Sequence, residues 1–256
     1  MKVPSLLTCA MAAMALAACN KNKNESASPA ATNDTVTITQ ASPPPGGTWA
    51  DVANATSSGG FVMGNPKAKV KLVEYGSLTC PHCKAFDDES VPTLIDKYVK
   101  SGNVSWEFRN YVRDPFDLAA ALIARCNGAK TFFPLARGLY KDQAVWVSKI
   151  QATPQAQLEK LQNLPPNQQF VQMATIAGLQ DWAAARGVPQ AKSNQCLSNQ
   201  SSINQLVQMT SDATTLYPNF PGTPTFAING KMVDLTGVSA EKVWPTLASQ
   251  LDQAEK

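Results

Sequence analysis

Cys80-Pro81-His82-Cys83 is the stretch of this chain best suited to chemistry. It follows an apolar, strand-like run, Val70-Lys71-Leu72-Val73-Glu74-Tyr75, and opens a helical run that ends near Ser101-Gly102. Two cysteines spaced Cys-x-x-Cys at a strand-to-helix junction suit disulfide exchange. The first sits at a helix N-terminus, where unpaired N–H groups and the helix dipole favour the thiolate, which is the nucleophilic form. The second, one turn along, can attack a mixed disulfide and release the partner. His82, the only histidine, lies between them and can donate to the Cys80 thiolate and favour it electrostatically. Two alternatives compete: half of a zinc site, and a short structural disulfide. Zinc needs a second Cys-x-x-Cys or a Cys/His pair at ligand spacing, and the chain has neither, so no metal and no cofactor are expected.

The compartment is read from the first residues. Lys2 provides a positive start, and Leu6 to Ala18 is apolar but too short to span a bilayer. Leu16-Ala17-Ala18-Cys19 looks like a bacterial lipobox. Residues 1–18 are then a signal peptide, and Cys19 carries lipid that anchors the chain to a bilayer. The alternative is an ordinary signal peptide cut after an alanine. Either way the protein is exported, to the periplasmic side of a cell envelope. Residues 19–58 read as a tether, rich in Asn, Lys, Ser, Ala, Thr and Pro, with Pro43-Pro44-Pro45-Gly46-Gly47 in the middle and one strand-like run, Val36-Thr37-Ile38-Thr39. Such a composition buries too little apolar surface to offset chain entropy. The formal charge is +3, with Lys2 the only charge before Cys19. No Lys/Arg-rich run stands out, which gives nucleic-acid binding no support.

Four cysteines remain after Cys9 and Cys19: Cys80, Cys83, Cys126 and Cys196. If Cys80 and Cys83 form a redox pair, Cys126 and Cys196 are left to bridge each other, as exported proteins allow. Two separate buried thiols are the alternative.

Positioning these groups falls to a strand–helix–strand unit, a long helical stretch, and a strand–strand–helix unit. The first strand covers about 69–75 and the first helix about 81–100, with a kink at Pro92. The next strand, Asn103 to Val112, alternates Val104, Trp106 and Phe108 with polar residues. Asp114-Pro115 starts a helix. From about 115 to 217 only helical patterns occur: Leu118 to Cys126, Phe132 to Lys141 (open to a break at Pro134), Pro154 to Leu164, Phe170 to Arg186, 190–198 and 201–217. Met173, Trp182 and Met209 read as core. Thr225 to Ile228 returns to strand, Asn229-Gly230 signals a hairpin, Lys231 to Asp234 follows, and Ser239 caps a last helix to Asp252.

Over residues 59–254 this pattern resembles the DsbA family of exported thiol–disulfide oxidoreductases. Pro81-His82 between the cysteines, Gly222-Thr223-Pro224-Thr225-Phe226 and the lead-in Gly64-Asn65-Pro66-Lys67-Ala68-Lys69-Val70 carry the resemblance. It implies an α/β, thioredoxin-like fold with an all-helical domain inserted at about 115–217. It implies Cys80 as an exposed nucleophile, Cys83 as the buried resolving thiol, Pro224 as a cis-proline, and Thr223 as a backbone partner for a substrate strand. Glu74 takes the place of the family's buried acid, the alternative being a strand carboxylate facing water. The expected activity is donation of the Cys80–Cys83 disulfide to reduced exported polypeptides, with reoxidation by a quinone-linked membrane partner. An isomerase or reductase of the same fold is the alternative, since Thr223 before the proline is shared with such relatives. A non-enzymatic lipoprotein that binds exported chains is a third. With residues 19–58 a tether, no dimerisation domain is expected, and the protein reads as a monomer.

Overall fold

The computed structural model describes residues 42–256. The expected signal peptide, Cys19 and the Val36–Thr39 run lie outside them.

A six-stranded sheet forms the centre, in the order β1-β2-β4-β3-β5-β6. β3 (Val70–Gly76) and β4 (Val104–Asn110) are parallel, with Glu74 opposite Phe108. β5 (Thr225–Ile228) runs antiparallel to β3, with Tyr75 opposite Thr225. β3 is therefore flanked on both sides and is buried at six of its seven positions, as its near-continuous apolar run requires. The β3–β5 register brings the residues just before Thr225 to the C-terminal end of β3, from which the chain runs to Cys80.

β1 (Ala53–Ala55) pairs antiparallel with β2 (Phe61–Met63), and β2 pairs with β4. Ahead of them, Trp49–Asp51 forms a 3-10 turn with Trp49 buried. Trp49 to Ala55 thus forms elements of the fold inside the stretch 19–58 that the sequence reads as tether. The reason is Trp49. A Cβ at Gly102 would lie 2.5 Å from its indole nitrogen, so the ring rests on that glycine, which has φ +81°.

The expected helix over 81–100 is three pieces: α1 (Pro81–Glu89), a short α2 (Val91–Thr93) and a π-helical turn, Leu94–Val99. Pro92 has no N–H for the ladder, and the break falls just before it, at Ser90. The insert comprises α3 (Pro115–Arg125), α4 (Ala129–Lys141), α5 (Gln143–Gln151), α6 (Gln155–Gln162), α7 (Pro166–Ile176), α8 (Leu179–Ala184), α9 (Gln190–Leu197) and α10 (Gln200–Leu216). α4 runs unbroken through Pro134, since Phe132, Phe133, Leu135, Ala136, Leu139 and Tyr140 are all buried and their packing outweighs one missing hydrogen bond. The single run expected over 170–186 is two helices, parted at Gly178, whose φ of +69° ends one and starts the next. Cys126, just after α3, and Cys196, in α9, are joined by a disulfide.

After α10 the chain forms β5, the Asn229-Gly230 turn with both residues at positive φ, and β6 (Lys231–Met232), shorter than the expected run to Asp234. α11 (Ala240–Glu255) packs back with Leu247 and Leu251 buried. Among the described residues, no helix is long and apolar enough to cross a membrane.

Candidate functional site

Cys80 is the N-cap of α1, extended at φ −80° and ψ 121°, with Pro81 at the first helical position. Proline there loses no helical hydrogen bond and sets the turn that aims the first free N–H groups back at the cap. The Cys83 N–H donates to Cys80 Sγ at 3.4 Å. Across the sheet, the Thr223–Pro224 bond is cis and the Thr223 carbonyl lies 3.2 Å from Cys80 Sγ. A carbonyl can only accept, so that contact belongs to the thiol form. In the thiolate form the donors are the Cys83 thiol, the Thr223 side chain and the N–H groups of Cys83 and His82. Cys80 and Cys83 are both free thiols.

The two thiols are driven apart. Hydrogen bonding, first from the Cys83 thiol and against the cost of burial, lowers Cys80 from 9.0 to about 5. Burial pushes Cys83 well above 9.0, with Cys80 and Glu74 adding to the effect.

Cys80 is only 2 % exposed and Cys83 fully buried. The expectation of an exposed nucleophile is therefore corrected: the turn at α1 and the Thr223–Pro224 loop cover the sulfur. Beside it, a groove of about 670 Å³ is lined by His82, Phe86, Thr223, Pro224, Leu235 and Trp244 among others. Phe86 anchors its floor, 4.6 Å from Phe226 of β5 between ring centroids. Pro81 and His82 are exposed. His82 supports the thiolate through its N–H, and the described residues include no hydrogen-bond partner for its ring.

Glu74 is buried in the centre of β3, its Oε2 accepting from Trp106 Nε1 at 3.0 Å. Burial holds its carboxyl well above 4.5, Asp87 raises it further, and Trp106 opposes. It does not face water. Asp87 on α1 is buried too and is lifted to about 6 by burial, against the pull of Arg137 on α4.

The chain between β3 and Cys80 is held by side chains from α3, α4 and α5. Tyr140 donates to the Ser77 carbonyl at 3.1 Å, and Asp117 Oδ1 accepts from Leu78 N–H at 2.8 Å. Thr79 donates to Asp114 Oδ2 at 3.0 Å. Gln143 Nε2 donates to the carbonyls of Leu78 at 2.7 Å and Cys80 at 3.1 Å. Sequence reading finds none of Tyr140, Asp117 or Gln143. The Asp114-x-x-Asp117 pair at the start of α3 is the one signal on offer, because Asp114 caps Asp117 N–H as a helix start demands. Cys126 and Cys196 form a separate pair within the insert. No group of three or more potential metal ligands clusters among the described residues.

Residues 56–244 match the family model described as Thioredoxin. The chain belongs to the thioredoxin family. A candidate protein-disulfide oxidoreductase of Rickettsia prowazekii is 28 % identical over 197 residues, which cover 77 % of this chain and 63 % of the relative. The chain spans between half and two thirds of the length of the curated relatives it matches first. Among solved structures, a protein-disulfide isomerase from Novosphingobium aromaticivorans is 33 % identical, with a TM-score of 0.70 over 78 % of this chain and 100 % of that one. The alpha-DsbA1 protein of Wolbachia pipientis, 23 % identical, shares the fold with a TM-score of 0.56 over 76 % of this chain and 89 % of its own. The thioredoxin-like sheet with its helical insertion is thus the DsbA-type form of the fold.

Proposed function

We propose that this chain is a thiol–disulfide oxidoreductase that passes the Cys80–Cys83 disulfide to reduced exported polypeptides. The observation that carries the reading is the geometry of the pair: Cys80 caps α1 with the Cys83 N–H on its Sγ beside Thr223–Pro224, while Cys83 is buried, and this drives the thiols apart, Cys80 down to about 5 and Cys83 up. A stabilised Cys80 thiolate favours the reduced pair, which makes the disulfide a strong oxidant. Cysteines activated by helix N-termini or neighbouring cations titrate between roughly 3.5 and 7.5, and Cys80 falls inside that range.

The reaction begins when a substrate thiolate attacks Cys80 Sγ. The Cys80–Cys83 bond breaks and Cys83 leaves as a thiolate that must take up a proton. Glu74, kept protonated by burial, is the donor. A second substrate thiolate then attacks the substrate sulfur of the mixed disulfide, and Cys80 leaves as a thiolate. Two electrons pass from the substrate dithiol to the enzyme pair; the substrate gains one S–S bond and the enzyme loses one. The groove beside Thr223 and Pro224 receives the substrate segment, with Thr223 main-chain groups pairing to it as an added strand.

Export by residues 1–18, lipidation at Cys19, a tether reaching to about Trp49 and reoxidation by a quinone-linked membrane partner complete the proposal. The test is the reduction potential of Cys80–Cys83, read by equilibration with glutathione buffers. A potential more oxidising than the glutathione couple is expected. A thioredoxin-like value would reverse the direction of electron flow. The second reading is an isomerase, favoured by the similarity to the Novosphingobium isomerase. Faster refolding of a scrambled substrate than oxidation of a reduced one would select it.

A further inference from the structure

We propose that the helical insert is the positioning element of the Cys80 site, with Gln143, Tyr140 and Asp117 holding the Ser77–Cys80 backbone so that Cys80 Sγ stays over the first N–H groups of α1. This deepens the redox reading and rests on it.

Ser77 to Cys80 belongs to no strand or helix, and each residue of it is held from the insert: Ser77 by Tyr140, Leu78 by Asp117 and Gln143, Thr79 by Asp114, Cys80 by Gln143. Gln143, Tyr140 and Asp117 are buried. Both partners of Gln143 Nε2 are carbonyls, so the amide nitrogen must face them, and each of its two hydrogens is used. The Cys80 carbonyl also accepts the first α1 bond, from Lys84 N–H at 3.1 Å, which fills its two lone pairs. Gln143 therefore fixes the peptide planes on both sides of Thr79 and Cys80.

Those planes decide where Sγ lies relative to the His82 and Cys83 N–H groups, and the Cys83 contact is already long at 3.4 Å. Without Gln143 the Cys80 carbonyl is held by Lys84 N–H alone and the Leu78 carbonyl loses its Gln143 donor, so the cap can shift and the donors of the thiolate weaken. Gln143 itself is held in register, since the preceding Asp142 accepts from Trp182 Nε1 at 2.8 Å and Arg186 Nη2 at 2.9 Å, both from the α8 region. The titratable groups around the cap are Cys83, His82 and Asp87 on α1, Glu74 on β3, Asp114 and Asp117 on α3 and Tyr140 on α4.

The test is Gln143→Met, which keeps the volume and removes both donors. Thiolate absorbance of the reduced protein is titrated from pH 3 to 8, alongside equilibrium with glutathione and a folding check. The wild-type half-point is expected near 5. In the variant it moves up, and below it the thiolate fraction falls about threefold or more, with a matching fall in the glutathione equilibrium constant. A merely structural glutamine would lower the melting temperature and leave both readings alone. If Gln143→Met does not fold, Tyr140→Phe, which removes only the hydroxyl at Ser77, is read in the same way. A folded variant with the wild-type half-point overturns the positioning role. A wild type with no acidic titration overturns the redox reading instead.

Discussion

Cys80 and Cys83 are three residues apart, yet one thiol is made acidic and the other basic. The difference is where each sulfur points: Cys80 caps a helix and collects donors, while Cys83 faces a core that contains Glu74, Trp106 and Tyr140. This makes the stability of the reduced protein depend on pH. A thiol whose folded value is depressed, here about 5 against 9.0, contributes stability in full above pH 9 and loses it as the pH falls to 5. At pH 7 the contribution is at most about 2–3 kcal/mol. The oxidised protein has no such thiol, and groups common to both forms largely cancel in the difference. Urea unfolding of the two forms should therefore show the reduced form losing ground by up to roughly 1.4 kcal/mol per unit between pH 7 and pH 5. A difference flat in pH would make Cys80 an ordinary thiol. Glu74 has a test of its own. Glu74→Gln keeps the shape and the Trp106 partner but removes the transferable proton, so the step in which Cys83 leaves should slow about 100-fold by stopped-flow at neutral pH. An unchanged rate would reduce Glu74 to a buried strand carboxylate.

Local chemistry made some elements legible and left others hidden. Asp114-Pro115 starts α3, Asn229-Gly230 turns the hairpin, and the apolar run ahead of Cys80 is the central strand, each because a residue type demands one backbone geometry. β1 and β2 are three residues each and sit in or beside a polar stretch, where no alternation is long enough to register. α5 hides because Val145 is 61 % exposed while its neighbour Trp146 is buried, so its apolar pattern does not mark the core face. At the site, the cysteines, Glu74 and Thr223-Pro224 were readable from motif and resemblance. The clamp on the Cys80 loop was not. Asp117 acts across 39 residues, Tyr140 across 63 and Gln143 across 65, and only the packing of the insert against the end of β3 creates those meetings.

At the scale of the molecule, α3 connects the two cysteine pairs. Its first turn carries Asp114 and Asp117, which hold the Cys80 loop, and its last residue leads into Cys126, bridged to Cys196 of α9. From Asp117 to Cys126 the helix rises about 14 Å, at 1.5 Å per residue. The bridge spans 70 residues of sequence, so in the chain-entropy model it stabilises the fold by about 4 kcal/mol, an upper figure since the unfolded chain retains some structure. The end of α3 that touches the redox site is fixed independently, by the capping bond from Asp117 N–H to Asp114 and by Leu78 N–H. The bridge and the redox pair should therefore be separable. The double variant Cys126→Ser/Cys196→Ser, which leaves no stray thiol to exchange with Cys80, is expected to lose up to about 4 kcal/mol in urea unfolding. Its turnover with a reduced substrate and its Cys80 half-point should match the wild type while it stays folded. A folded double variant that has lost turnover would mean that the second pair takes part in electron transfer, and that α3 couples the two pairs chemically as well as mechanically.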